Sequence, residues 1–329
     1  MDLIGHENTK NRIDIALKSA AARNACIPHM LLAGAAGCGK TTTARWLAEL
    51  GGYDFLPVSP LVLKTKKDVY TLLNKLNVDG YNARGDRIGK IKPTIIFFDE
   101  VHQMPVIGQE ILGIAMERFD LEADEANKLI WLPYFAVIGA TTDDGILTKP
   151  FRERFKMKFI YEPYSDADMC NIIKHHAMKH KLLTTPKAVR GIASRSRGIP
   201  RTMVGYLESI RDFMIANKEF VITNGIVDAA FNSMGIDKTG LNKIDLTILK
   251  TLYNLDKPLG LENLSIITNE SAKALSQTTE PYLIRRGFII RTGKGRQITS
   301  EGRNYLESQG HLDGGKTQKV FIDVLHKRK

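Results

Sequence analysis

Residues 8–22 place Ile13, Ala16, Leu17 and Ala20 at i, i+3, i+4 and i+7, a spacing that predicts an amphipathic helix with one apolar face. A short apolar run at residues 29–33 (HMLLA) reads as a strand, and residues 41–50 read as a helix that starts in a glycine-rich turn. Residues 94–99 (TIIFFD) and 135–141 (FAVIGAT) are continuously apolar, which is the pattern of strands covered on both faces of a parallel sheet. Strands alternating with helices predict an α/β fold, a doubly wound parallel sheet whose ligands bind beyond the strands' carboxyl ends.

Past residue 160 the strands are expected to stop. Ser165 and Asp168 form a capping box ahead of Met169, Ile172, Ile173 and Ala177. Thr185 caps a helix that has Pro186 at its first position, and Met203, Leu207, Ile210 and Met214 line a third helix over residues 201–215. Residues 223–233 close this small helical domain, and residues 235–242 (GIDKTGLN) read as a linker. The remainder reads as helices at 244–255, a second stretch and 279–286, then strands at 288–292 and 296–299 around Gly293-Lys294-Gly295. Two strands joined by a glycine-basic turn after three helices describe a winged helix.

Composition narrows the class. The 329 residues, 43% hydrophobic and 25% charged, give room for two or three globular domains. The start (MDLIGHENTKNR) lacks a signal-peptide pattern, and no run of about 18 apolar residues suggests a membrane span. Cys26, Cys38 and Cys170 are odd in number and widely spaced, which argues against a disulfide framework or a zinc site and for a cytoplasmic location. The net charge of +11 fits a polyanionic partner or simple solubility equally well. Residues 245–329 carry 14 Lys/Arg against 9 Asp/Glu, so the last quarter holds much of the excess.

Candidate chemistry begins at Gly34–Thr41 (GAAGCGKT), which fits G-x-x-x-x-G-K-[ST]. Gly34, Gly37 and Gly39 would let backbone N–H groups curl around a phosphate. Lys40 would reach the β- and γ-phosphates and the Thr41 hydroxyl would hold Mg²⁺. The motif also occurs by accident, but here a strand precedes it and a helix follows. Asp99 and Glu100 end the second buried strand; Asp99 would hold Mg²⁺ through water and Glu100 would polarise an attacking water, or the pair simply opens a turn. Thr142, ahead of Thr141, is a candidate γ-phosphate sensor or an ordinary strand-end cap. In FRERF (residues 151–155), Arg154 ahead of Arg152 is a candidate arginine finger for a neighbouring subunit, against the alternative of a solvated arginine. Arg201, in Gly198-Ile199-Pro200-Arg201, could reach the γ-phosphate of its own subunit. Cys38 reads as a small filler, His102 as part of a turn, and His175-His176 as a solvated face. Arg285, Arg286, Arg291, Lys294 and Arg296 cluster at the winged helix, where they would contact DNA phosphates or dock a protein.

With these parts in order the chain resembles the RuvB family, hexameric AAA+ ATPases of Holliday-junction branch migration, from about Leu3 to Thr299. The resemblance is carried by Ile4-Gly5-His6, GAAGCGKTTTA, FFDEVH, IGATTDDGILTKPFRERF, SRSRGIPR and EPYLIRRGFIIRTGKGR. It implies an AAA+ domain at 1–160, a helical lid at 161–235, a winged helix at 243–312 and a basic tail at 313–329. It also implies ATP and Mg²⁺, with Gly34, Gly37, Cys38, Gly39, Lys40, Thr41 and Thr42 around the phosphates and Ile4 and Tyr164 toward the base. Thr41 and Asp99 would hold Mg²⁺, Glu100 and Thr142 would serve hydrolysis, Arg154 would be the finger in trans and Arg201 a second sensor. Arg291, Lys294 and Arg296 would face duplex or four-way-junction DNA inside a ring of copies. Two departures concern partners: residues 120–131 are shorter and more acidic than the hairpin that meets RuvA in the family, and residues 79–92 are an extra, basic segment that reads as a surface loop. A third is the lead of two residues before Leu3, shorter than the family segment that helps enclose adenine. Two rival readings stand beside this one: a clamp-loader or helicase-loader switch, and a winged-helix regulator with a vestigial ATPase.

Overall fold

The computed structural model describes residues 3–76, 93–122 and 129–310, so the extra segment at 79–92, the hairpin tip and the basic tail lie outside the described residues. The chain divides into two compact units, Met1–Ile172 with Gly198–Arg201, and Ile173–Arg197 with Thr202–Lys329.

The first unit is built on five parallel strands. β1 (Met30–Gly34), β2 (Asp54–Val58), β3 (Thr94–Phe98), β6 (Phe135–Thr141) and β7 (Met157–Tyr161) lie in the order β2-β3-β6-β1-β7. The register sets Met30 against both Ile138 and Met157, and Thr94 against Phe135. Successive residues of a strand point to opposite faces, and the two cores follow that alternation. Ile96, Phe98, Leu31 and Val137 pack on one face with Leu112, Met116, Phe151 and Phe155. Ile95, Phe97, Met30, Leu32 and Ile138 pack on the other with Ile13, Ala44 and Leu47. The helices that supply these partners are α1 (Glu7–Ala22) and α2 (Lys40–Gly51) on the second face, with α3 (Lys66–Leu73), α4 (Val106–Arg118) and α5 (Lys149–Arg154) on the first. Between α4 and β6, β4 (Asp120–Glu122) and β5 (Leu129–Trp131) pair antiparallel as a hairpin. Because the five strands are parallel, the ends of β1, β3 and β6 bring Gly34, Asp99 and Thr142 to one edge of the sheet.

Two strands go beyond the sequence expectation. β2 contains Pro57 and β7 alternates buried with exposed positions at the sheet edge, so neither presents a continuous apolar run. Two-residue strands β8 (Leu183–Thr184) and β9 (Val221–Ile222) also pair past residue 161, where strands were expected to stop.

The second unit continues α6 (Asp166–Lys179) with α7 (Pro186–Arg195), α8 (Pro200–Ala216) and α9 (Asn224–Ser233). Thr185 and Thr223 cap their helices through side-chain oxygens, as their positions before Pro186 and Asn224 require. The segment expected as a linker is instead fastened. Asp237 Oδ1 accepts from the backbone of Thr239 and Leu241 and from the Thr239 hydroxyl, while Tyr305 donates to Asp237 and Tyr282 to the Thr239 carbonyl. Arg197 reaches the Gly240 carbonyl and the buried Asp245 carboxylate. These bonds satisfy a buried polar cluster that packing alone would leave costly. The winged helix follows as α10 (Lys243–Leu255), α11 (Leu261–Thr268), α12 (Ala272–Ala274), α13 (Glu280–Arg285), β10 (Ile289–Thr292), β11 (Gly295–Ile298) and α14 (Ser300–Ser308). The short helix expected at 279–286 is the end of a longer run, joined to α12 by a π turn over Leu275–Thr279.

Candidate functional site

The loop from β1 to α2 is shaped by close approach. A Cβ on Gly37 would stand 2.7 Å from Cβ of Arg201, and one on Gly39 would stand 2.7 Å from the Tyr164 hydroxyl; both glycines have positive φ. The phosphate loop therefore touches two of the residues the sequence assigned to the nucleotide. Tyr164 also donates its backbone N–H to Gly198, at 2.8 Å, which ties residues 198–201 to this site. Lys40 is buried, and its Nζ donates to the carbonyls of Gly34 (2.7 Å) and Ala35 (2.9 Å). Burial lowers the Lys40 pKa, with the carboxylates of Glu100 and Asp99 opposing that shift. Thr41 and Thr42 follow in the first turn of α2, half-buried, and Cys38 is wholly buried, which fits the filler reading.

On the base side, Ile4 is half-buried and His6 stands between two tyrosine rings, 4.7 Å from Tyr161 and 4.3 Å from Tyr164. The His6 Nε2 lies 3.2 Å from the Cys38 carbonyl, and burial lowers its pKa.

The acidic pair ends β3 in a strained turn. Glu100 has φ of 50°, a left-handed conformation that swings its side chain back over the sheet edge, and its N–H donates to Asp99 Oδ1. Glu100 Oε2 accepts from both the backbone N–H (3.1 Å) and the hydroxyl (2.9 Å) of Thr142. Thr141 is wholly buried, with its Oγ1 2.9 Å from His102 Nδ1, and His102 Nδ1 is 3.2 Å from Glu100 Oε2. His102, set aside in the sequence as a turn residue, is thus part of the cluster around Glu100. The only sequence signal for it is its place in FFDEVH, three residues after Asp99.

Arg154 stands apart from this constellation. It closes α5, where Phe151 and Phe155 anchor the backbone in the core, and it forms an ion pair with Glu117 of α4 at 2.7 Å. Among the described residues it makes no ion pair with the groups around Lys40.

On the winged helix the five cations divide. The buried Glu280 carboxylate receives Arg291 through Nε and Nη2 (3.0 and 2.6 Å) and Arg296 through Nε and Nη2, so one carboxylate holds two strands of the wing. Arg291 keeps 52% of its side chain exposed and Arg296 only 17%. Arg285 donates to the Arg197 carbonyl and lies over Tyr282, and Arg286 lies over Phe288. Lys294 is exposed in the turn between β10 and β11.

The parallel sheet, the phosphate loop after the inner strand β1, the acidic pair after β3 on the far side of β6 and the appended helices and wing together define a P-loop ATPase of the AAA+ class with a winged-helix domain. Comparison with known proteins is specific. Family models match along the chain: the Holliday junction DNA helicase RuvB P-loop domain at residues 1–160, the RuvB AAA lid domain at 164–237 and the RuvB C-terminal winged helix domain at 238–307. The Holliday junction branch migration complex subunit RuvB of Wolbachia pipientis wMel is 33% identical over 314 residues, covering 94% of this chain and 92% of that protein. The subunit of the same name from Campylobacter jejuni strain RM1221 is 34% identical over 313 residues, covering 92% and 89%. The solved Thermotoga maritima RuvB Holliday junction branch migration motor superposes with a TM-score of 0.78 at 31% identity, covering 92% of this chain and 95% of that one. The chain belongs to the RuvB family.

Proposed function

We propose that this protein hydrolyses ATP to drive branch migration of four-way DNA junctions, as a ring of identical subunits. The observation that carries the reading is the Glu100–Thr142 pair standing at the sheet edge beside a phosphate loop whose lysine is already buried against it. Lys40 would exchange the carbonyls of Gly34 and Ala35 for β- and γ-phosphate oxygens, and the loop's N–H groups together with the start of α2 would complete the anion site. Ile4, His6 and Tyr164 bound the side where a base would lie.

The donor set fits Mg²⁺: the Thr41 hydroxyl and the exposed Asp99 carboxylate are hard oxygen ligands, and no group of three or more His, Cys, Asp and Glu converges among the described residues. Two protein oxygens with phosphate and water are the usual company of this ion, which would neutralise charge between the β- and γ-phosphates. Glu100 would orient and polarise the attacking water, and Thr142 would hold Glu100 until a γ-phosphate competes for its hydroxyl. Arg201, against Gly37, would sense the same phosphate from within the subunit. Arg154 would complete the site of a neighbouring copy. Lys294 and Arg291 would contact the DNA backbone, with Arg285 and Arg286 beside them. The β4–β5 hairpin would be the place for a RuvA-type partner, although its shortened sequence argues against the usual contact.

The decisive experiment is ATP-dependent migration of a synthetic four-way junction, with Glu100→Gln as the control. The variant should bind ATP normally while turnover and migration fall by about 10²-fold or more. Migration by Glu100→Gln at the wild-type rate would remove this reading. Stimulated ATPase without any migration would favour a loader-type switch instead.

A further inference from the structure

Arg154 has a geometry that a preorganised finger would not choose. In a guanidinium braced for catalysis, the backing carboxylate takes the inner Nε and leaves the outer Nη fork free for a phosphate. Here the arrangement is reversed. Glu117 pairs with the outer Nη2 at 2.7 Å, while Nε is shut away from solvent with no acceptor. A buried donor without an acceptor is costly, and an ion pair to a carboxylate that is 57% exposed returns little of that cost. The stem packs over Gly113, one helical turn before Glu117, where even an added Cβ would stand at ordinary contact distance, 4.0 Å from Arg154 Cγ and 3.5 Å from Phe151. α5 is otherwise fixed by Phe151 and Phe155, so the side chain beyond Cγ is the part free to change partner.

We infer that Glu117 is a positioning residue that parks Arg154, competing for its Nη2 with the γ-phosphate presented by a neighbouring subunit. The inference rests on reading Arg154 as the finger in trans. When a neighbour presents the more highly charged phosphate, the guanidinium leaves Glu117 and turnover begins. Without one, the finger stays on its own subunit and the rate is held down.

The test is a double-mutant cycle on the full chain assembled with duplex DNA, measuring kcat, nucleotide Kd and Tm for wild type, Glu117→Gln, Arg154→Ala and the double variant. Glu117→Gln should raise kcat about threefold, the size of an exposed ion pair, with ATP affinity and Tm unchanged. In the Arg154→Ala background the same substitution should change nothing, because the group it releases is gone. A kcat that falls or stays level in Glu117→Gln while Arg154→Ala is inactive overturns the parking role alone. Full turnover in Arg154→Ala overturns the finger reading and the inference with it.

Discussion

His29 shows how one buried side chain can tie the functional strands together. Its Nδ1 accepts from the Val137 N–H of β6 and its Nε2 donates to the Met116 carbonyl near the end of α4, each at 2.9 Å, so the neutral tautomer is fixed by two backbone partners. Burial pushes its pKa down to about 4, from an unfolded value of about 6.5. The unfolded chain therefore binds the proton first as pH falls. This contribution to stability is complete above about pH 6.5 and is lost progressively between about 6.5 and 4, on the order of 3 kcal/mol in all. Urea unfolding followed from pH 7.5 to 4.5 should show that acid limb in the wild type and a flatter one in His29→Gln, whose amide can serve both backbone groups. Equal limbs would assign the acid sensitivity elsewhere. At this scale the sequence was informative about placement wherever it depends on a short spacing, as with Gly34, Lys40, Thr41 and Asp99 at the ends of β1 and β3 and the start of α2. It was silent where the role depends on a neighbour distant in the chain. His102 meets Thr141 only because β3 and β6 are adjacent, and Glu117 meets Arg154 only because α4 packs on α5.

Elements were legible in proportion to how uniformly they are buried. β3 and β6 are covered on both faces and showed as apolar runs, whereas β2 and β7 have exposed positions and did not. The segment at 235–242 was read as a linker because glycine, Asp237 and Asn242 are turn formers, yet the same polar side chains fasten it. The wing repeats the lesson with charge. Counting cations treats Arg291, Lys294 and Arg296 as equivalent, but the buried Glu280 makes Arg296 chiefly structural and leaves Lys294 to solvent. Lys294→Ala should leave Tm unchanged and flatten the salt dependence of DNA affinity by about 0.9 in log–log slope. Arg296→Ala should instead cost about 2 kcal/mol of stability, the scale of hydrogen bonds to a buried carboxylate. Fluorescence anisotropy across a salt series, beside thermal unfolding of each variant, separates the two. A stable Arg296→Ala with a flattened slope would return that arginine to the DNA-contacting group.

At the scale of the whole molecule, one of the expected site residues lies outside the cluster that the chain itself assembles. Lys40, Glu100 and Thr142 are assembled within one subunit, while Arg154 is committed to Glu117 and stands outside that cluster. If Arg154 serves a neighbour, the unit of catalysis is an interface that takes the phosphate loop from one copy and the finger from the next. Arg154→Ala and Lys40→Ala should then each abolish turnover alone, the first by roughly 10³-fold. Mixed in equal amounts before assembly, they should regain activity. An interface is competent only when the Arg154→Ala copy supplies the loop and the Lys40→Ala copy supplies the finger, so random mixing makes about a quarter of the interfaces whole. DNA-stimulated ATPase measured against mixing ratio should peak near equal amounts and vanish at both ends. A flat line at zero across all ratios, with assembly verified by light scattering, would place Arg154 in its own subunit's chemistry. Recovery of ATPase without junction migration would add that movement on DNA needs consecutive intact interfaces, since scattered competent ones would hydrolyse ATP without passing the strand along.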